Sequence, residues 1–223
     1  ILGDSAPTDS WALVFDPEVT GKLAAGGCGI AMLDSGEEMV RAAMAYIGLD
    51  PNSNNADDIK KGGEVIKAVR EAIGPDLPIF YRISQWKLQD YEGSLADTPD
   101  ELGVICGALA DAGVDIFDVS TRVFSKPAFA GSDMGLAGWI RKLTGLPTMT
   151  VGGIGFDKEL AASFTEPTAA IDNLAEVVRR FEAGEFDLVA IGRALLMDAE
   201  WVVKAREGEP FNPFDISAYS RLD

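Results

Sequence analysis

The stretch "DLVAIGRALL", residues 187–196, decides how the fold is read. Leu188, Val189, Ala190 and Ile191 form an apolar run that predicts a strand buried on both faces. Gly192 and Arg193 stand where that strand ends. Glycine lets the backbone come close to a ligand, and arginine offers a fork of donors to a phosphate. A turn glycine followed by a solvated arginine explains the dipeptide equally well, so the neighbouring segments have to decide.

From residue 58 onward one pattern recurs: a helical stretch ends at glycine, and an apolar strand follows. "IKKGGEVIKAVREAIG" places Val65, Ile66, Val69 and Ile73 on one helical face, and Gly74 and Pro75 stop it. "PIFYRIS" follows. "TPDELGVICGALADAG" opens with Thr98 as N-cap, Pro99 at the first helical position and Glu101 to complete a capping box, and "DIFDVS" follows. "LAGWIRKLTG" leads to "LPTMTVGG", and "IDNLAEVVRRFEAG" leads to "FDLVAIGR". The strands start near Ile79, Asp115, Thr148 and Asp187, at separations of 36, 33 and 39 residues. That spacing predicts βαβ units and a parallel sheet.

The first 57 residues are organised differently. "WALVF" and "CGIAML" predict two strands, which brings the expected total to about six. "GEEMVRAAMAYIGL" predicts a helix, and "DPNSNNADD" a loop. With no linker or low-complexity tract, residues 1–223 are expected to form one domain with residues 1–57 as its divergent part. A dinucleotide-binding fold is excluded, because "GGCG" precedes a strand instead of following one, and no G-x-x-x-x-G-K-[ST] loop is present. Two glycine-bearing strand ends, "TVGGIG" and "AIGR", instead suit a (β/α)8 TIM barrel, which often builds its phosphate site from the loops after its last two strands. Gly152 and Gly153 then expose backbone N–H groups to the phosphate that Gly192 and Arg193 clamp.

Composition narrows the chemistry. The chain has 36 acidic and 19 basic residues, a net charge of -17, which disfavours nucleic acid and anionic membranes as partners. It has no histidine, which removes the commonest general base and the commonest metal ligand. No metal site is expected. Cys28 and Cys106 sit in apolar settings and are expected to be buried thiols, not a disulfide. The apolar runs are too short to span a bilayer, and "ILGDSAPTDS" has no features of a secretory leader. A cytoplasmic location is the expectation.

"FYRISQWKLQDY", "AGVDIFDVSTR", "GSDMGLAGWIRKLTGLPTMTVGGIG" and "GEFDLVAIGRALLMDAEWVVKAREG" together resemble the old yellow enzyme family of FMN-dependent NAD(P)H oxidoreductases and ene-reductases. The resemblance runs from about Gly63 to the C-terminus. It implies a (β/α)8 barrel holding FMN, with hydride passing from NAD(P)H through the flavin to an activated alkene or similar small-molecule acceptor. It assigns Arg82 to the flavin ring, Gly152 and Gly153 to the phosphate, and Gly192 and Arg193 to the same phosphate. Trp86 is a packing candidate. The family's histidine pair for the substrate carbonyl is absent. A weak alignment puts "RAAMAYI" in its place, with Arg41 and Met44 at the paired positions and Tyr46 as proton donor, and it competes with the helical reading of that segment. About two βα units are missing, so an incomplete barrel is expected, and a homodimer sharing the open side would cover the exposed edge. Ene-reductase turnover is expected to be weak even with FMN bound. Two alternatives stay open: a flavin- or phosphate-binding remnant without catalysis, and a different phosphate-binding barrel enzyme using Asp115, Asp118 or Lys87 as acid or base.

Overall fold

The computed structural model describes residues 2–3, 6–27, 36–53, 55–84 and 93–220, and within these the side chains of 36–40, 56, 59, 66, 69 and 220 are not described. "CGIAML", Cys28, Trp86 and Lys87 therefore lie outside the described residues. The chain divides into two compact units: residues 1–83 with 109–115, and residues 84–108 with 116–223.

The first unit is mostly helical. It contains α1 (Ala12–Phe15), α2 (Pro17–Ala25), α3 (Gly36–Tyr46), α4 (Ala56–Ile73) and nearly all of strand β1 (Phe80–Ser84). The strand expected at "WALVF" is helix α1 instead. The Ser10 hydroxyl accepts from the Ala12 N–H at 3.2 Å, which starts a turn, and helical spacing brings Trp11 and Phe15 together with ring centroids 6.3 Å apart. The turn stops at Asp16, whose carboxylate caps α2 by accepting from the N–H groups of Glu18 and Val19 at 2.8 and 3.3 Å, with Pro17 at the first helical position. α3 lies where composition placed a helix. α4 is capped by Asn55 and ends at Gly74 with φ 75°, as the sequence indicates. Phe15, Ala42 and Ala43 form a buried cluster, with Val14, Tyr46 and Val65 packed against it. Arg70 ties the end of α4 to later residues: it donates to the carbonyls of Gly113, Gly74 and Leu77 and pairs with Asp115.

The second unit carries the parallel sheet. Most of α5 (Pro99–Asp111) belongs to it, followed by β2 (Ile116–Ser120), α6 (Leu136–Thr144), β3 (Thr148–Val151), α7 (Leu174–Glu182), β4 (Leu188–Ala190), α8 (Arg193–Met197) and α9 (Trp201–Glu207). All four described strands start within one residue of their expected positions. The capping box of α5 forms: the Glu101 N–H donates to the Thr98 hydroxyl at 3.2 Å, and the Glu101 carboxylate accepts from the Asp97 N–H at 2.9 Å. β2 pairs in parallel with β3, Phe117 opposite Thr148, and β3 with β4, Met149 opposite Leu188. α6 packs on β2 and β3, and its Leu136 and Ile140 are buried along with Phe117, Val119, Thr148 and Thr150. Burial pushes the Cys106 thiol on α5 up to about 12, so it is inert.

β4 departs from expectation. The run was expected to be buried on both faces, but Leu188 is 42% and Val189 36% exposed. β4 stands at the end of the sheet, with β3 on one side and no strand on the other among the described residues. The apolar composition thus suits a closed barrel, while this chain supplies only part of one.

The turn between α7 and β4 is pinned by Arg180, which is 2% exposed. Its Nε donates to Glu176 at 2.6 Å, Nη2 to the Ser125 carbonyl at 2.7 Å, and Nη1 to the Asp133 carbonyl and both Glu185 carboxylate oxygens at 2.9–3.1 Å. Burial pulls the Arg180 pKa down, but the bonds to Glu176 and Glu185 outweigh it, and the net shift is upward. Bonds from Arg179 and then Arg180 hold the Glu176 carboxyl down to about 2. Glu185 also accepts from the Gly135 N–H at 3.1 Å.

Arg180→Ala leaves the Glu185 carboxylate buried and unpaired, and is expected to cost about 3–5 kcal/mol. The double change Arg180→Met with Glu185→Leu removes both charges and is expected to cost clearly less. Urea unfolding of the three proteins checks this, and equal losses for single and double variants would refute it.

Candidate functional site

The second unit brings together the ends of β3 and β4. Residues 152–155 leave β3 as a tight turn, with Gly152, Gly153 and Gly155 at φ 129°, 69° and 83°, where only glycine is comfortable. The cause at Gly152 is steric. A Cβ there would stand 1.9 Å from the Thr121 carbonyl oxygen. Thr121 follows β2, and its N–H and hydroxyl both donate to the Val151 carbonyl, at 3.0 and 2.8 Å. The Gly152 carbonyl accepts from the Phe124 N–H at 2.9 Å. The side chain of Asn173 fixes the turn from the other side, donating to the Gly153 carbonyl at 2.9 Å and accepting from the Gly155 N–H at 3.0 Å. With these bonds made, the Gly153 N–H has no acceptor among the described residues.

Sequence reasoning singled out neither Thr121 nor Asn173. An asparagine directly before α7 reads as a helix cap, but its amide makes no cap bond and is used on the glycine turn instead. Thr121 had no local signal, because its partner lies thirty residues away in the chain.

Gly192 and Arg193 lead from β4 into α8. No atom of the described residues lies within 4 Å of where a Gly192 Cβ would stand, and its φ of -103° is negative, so this glycine leaves space that the described residues do not fill. Arg193 is held from two sides: Nη2 donates to the Lys158 carbonyl at 2.7 Å, and the guanidinium lies 4.9 Å from the centre of the Phe156 ring. Its Nη1 is buried with no hydrogen-bond partner among the described residues. A buried cationic donor left open is costly, so such an atom calls for an explanation. Burial, with help from the Glu166 charge, raises the neighbouring Glu159 carboxyl above its ordinary value, and the Arg193 charge only partly offsets this. The donor set, a guanidinium beside glycine-lined backbone, fits an oxyanion such as a phosphate. Among the described residues, no cluster of His, Cys, Asp or Glu could hold a metal ion.

The other candidates lie in the first unit. Arg82 is an exposed residue of β1. Tyr46 ends α3 and packs on Phe15, with ring centroids 5.8 Å apart. Met44 is buried in the same helix, and Arg41 donates to the Pro51 carbonyl and the Asn52 side chain at 2.8 and 3.0 Å. The segment that the weak alignment set at a strand end is therefore a helix. Asp115, weighed as an acid or base, accepts from the Ile79 N–H at 2.7 Å and pairs with Arg70, so it ties the backbone together. No helix among the described residues is long and apolar enough to cross a membrane.

Residues 63–212 match the family described as NADH:flavin oxidoreductase / NADH oxidase. The NADH oxidase of Thermoanaerobacter brockii is 33% identical over 153 residues, covering 65% of this chain and 20% of that protein. A putrescine/agmatine-binding protein of Pseudomonas aeruginosa is 45% identical over 73 residues, covering 33% of this chain and 19% of that protein. The structure of morphinone reductase superposes with a TM-score of 0.57 at 14% identity, over 96% of this chain and 54% of that one. The chain thus spans about half of that solved relative, which is the fold similarity expected of an incomplete barrel.

The two strand-end glycines differ in what they do, and substitution should separate them. Gly152→Ala forces a methyl group into the Thr121 carbonyl and is expected to cost at least about 2 kcal/mol of stability. Gly192→Ala meets open space and is expected to leave thermal unfolding unchanged. Calorimetry of both variants decides, and a destabilised Gly192→Ala would give that glycine a structural role.

Proposed function

Because the chain belongs to the NADH:flavin oxidoreductase / NADH oxidase family, we propose that it binds FMN by its phosphate at the ends of β3 and β4 and serves NAD(P)H-dependent reduction. The observation that carries this reading is the buried Nη1 of Arg193, a charged donor with no protein acceptor among the described residues. A phosphate oxygen would complete it. Gly192 leaves room for the phosphate to approach, and the Gly153 N–H is a second donor on the neighbouring strand end. The Lys158 carbonyl and the Phe156 ring hold the guanidinium so that little rotamer freedom remains to be lost on binding.

Bound FMN would accept a hydride from reduced nicotinamide and pass it to a small-molecule acceptor. The protein's part is binding and orientation. Arg82 carries over from the family as the cation for the flavin ring, whereas Tyr46 stands in a helix outside the matched stretch and has no proton-donor role in this reading. The phosphate reading draws on neither, and the packing of Tyr46 on Phe15 gives that ring a use within the helices. With no histidine in the chain, the family's carbonyl-anchoring pair has no counterpart, so ene-reductase turnover is expected to be slow. A cytoplasmic location, where NAD(P)H is at hand, goes with this reading.

A charge-assisted arginine–phosphate bond contributes about 1.5–3 kcal/mol. Arg193→Ala is therefore expected to weaken FMN roughly ten- to a hundredfold, and Arg193→Lys, which keeps the charge but loses the fork, by less. Titration followed by flavin absorbance measures both. An unchanged affinity in Arg193→Ala would remove the phosphate from this place, and a chain that takes up no FMN would remove the function.

The exposed edge of β4 supports a homodimer that shares it. Light scattering is expected to give twice the chain mass of 23.7 kDa at micromolar concentration. A monomer over a wide concentration range would refute the dimer without touching the flavin reading.

A further inference from the structure

Residues 1–62 lie outside the stretch that matches the flavin family. We propose that the chain is a fusion of two pieces of different descent, joined within α4. The first piece shares descent with the polyamine-binding proteins and takes no part in the flavin site.

Coverage supplies the first argument. A likeness at 45% identity over 73 residues cannot fit in the eleven residues after 212. Nor does it fit in the 62 residues before the match, but placed at the start of the chain it overlaps the flavin-family stretch by as few as eleven residues, the smallest overlap any position allows. The smallest overlap puts the likeness at the start of the chain, reaching the end of α4.

Architecture supplies the second. Up to residue 62 the regular elements of the described residues are helices, α1 to α3 and the first turns of α4, and the alternation of strand and helix begins only with β1. These helices bury their own cluster around Phe15, Ala42 and Ala43. The flavin-family part contributes Val65 to that cluster from beyond the join, which gives the first piece an apolar partner.

The join itself supplies the third. Two successive glycines stand in the middle of the 18-residue α4, and glycine is the poorest helix former after proline. Gly63 has no structural need to be glycine. Its φ is not positive, and nothing among the described residues lies within 4 Å of where a Cβ would stand. The likeness to morphinone reductase extends over 96% of the chain, but at 14% identity it is a likeness of fold alone.

Hydrogen exchange on the full chain tests the fusion against a single barrel with a divergent first 57 residues. Phe15→Ala opens a cavity in the helical cluster and is expected to speed exchange roughly tenfold or more in residues 12–46. Exchange in β3 and β4 is expected to stay unchanged. Equal acceleration in β3 and β4 would overturn the fusion, because it would show one cooperative unit. If the Phe15 variant does not fold, the milder Ala43→Gly decides by the same comparison. Adding FMN to the parent chain is expected to slow exchange at residues 151–155 and 190–195 and to leave residues 36–46 unchanged. Protection of 36–46 by FMN would also overturn the proposal. If FMN protects nothing, the flavin reading falls while the Phe15 comparison still decides the fusion.

Discussion

The guanidinium of Arg180 holds the second unit in register. It reaches the Ser125 and Asp133 carbonyls in the long connection after β2, Glu176 on its own helix, and Glu185 just before β4. A buried ion pair is weak evidence for stability, because desolvation offsets most of the attraction. Its value here is positional. Three separate backbone segments each meet one part of a planar, rigid fork, so none can shift without opening a charge in the interior. Glu185 passes the constraint on to Gly135, which begins the approach to α6, while Arg141 on α6 grips Asp187 at the start of β4 with bonds of 2.9 and 3.0 Å. Asp187 in turn accepts from the Thr148 N–H at 3.0 Å, which sets where β3 begins beside β4. Two arginines on two helices thereby fix the stagger of two strands, and that stagger places the candidate phosphate site.

The same logic reaches the glycine turn by sterics instead of charge. The Thr121 carbonyl occupies the space a side chain at 152 would need, so the turn after β3 and the loop after β2 meet backbone to backbone. Asn173 closes the turn from the side of α7. The site is therefore rigid before any ligand arrives, which is the condition under which a phosphate contact costs little ordering.

Local rules made much of this legible in the sequence. Glycine stops, the Thr98–Glu101 box and apolar runs placed four strands within a residue of where they lie. What was hidden depends on partners far away in the chain. "WALVF" has strand composition but is helical, because Ser10 and Asp16 bracket it too tightly for a strand and the Trp11 and Phe15 rings need helical spacing to meet. Nothing local in the sequence tells Arg180 from its neighbour Arg179, and only the fold shows that it is buried. At the site, the sequence singled out Gly152, Gly153, Gly192 and Arg193, and these follow the neighbouring ends of the paired strands β3 and β4. It could not show that Gly152 answers to Thr121 while Gly192 answers to nothing among the described residues. That difference is what separates a glycine kept for the fold from one free to serve a ligand.

The uncovered β4 also bears on how the protein behaves in crowded solution. Leu188 and Val189 present apolar surface next to a row of backbone groups with no strand beyond them among the described residues, a template for further strands. Against this stands a net charge of -17, which keeps molecules apart at distances set by the ionic atmosphere. That reach is about 30 Å in 0.01 M salt and only about 3 Å in 1 M salt. Colloidal stability is then a contest between a short-range sticky strand and a long-range repulsion that salt can switch off. The acidic surface, silent about the fold, acts as the solubilising coat for a sheet that ends in the open.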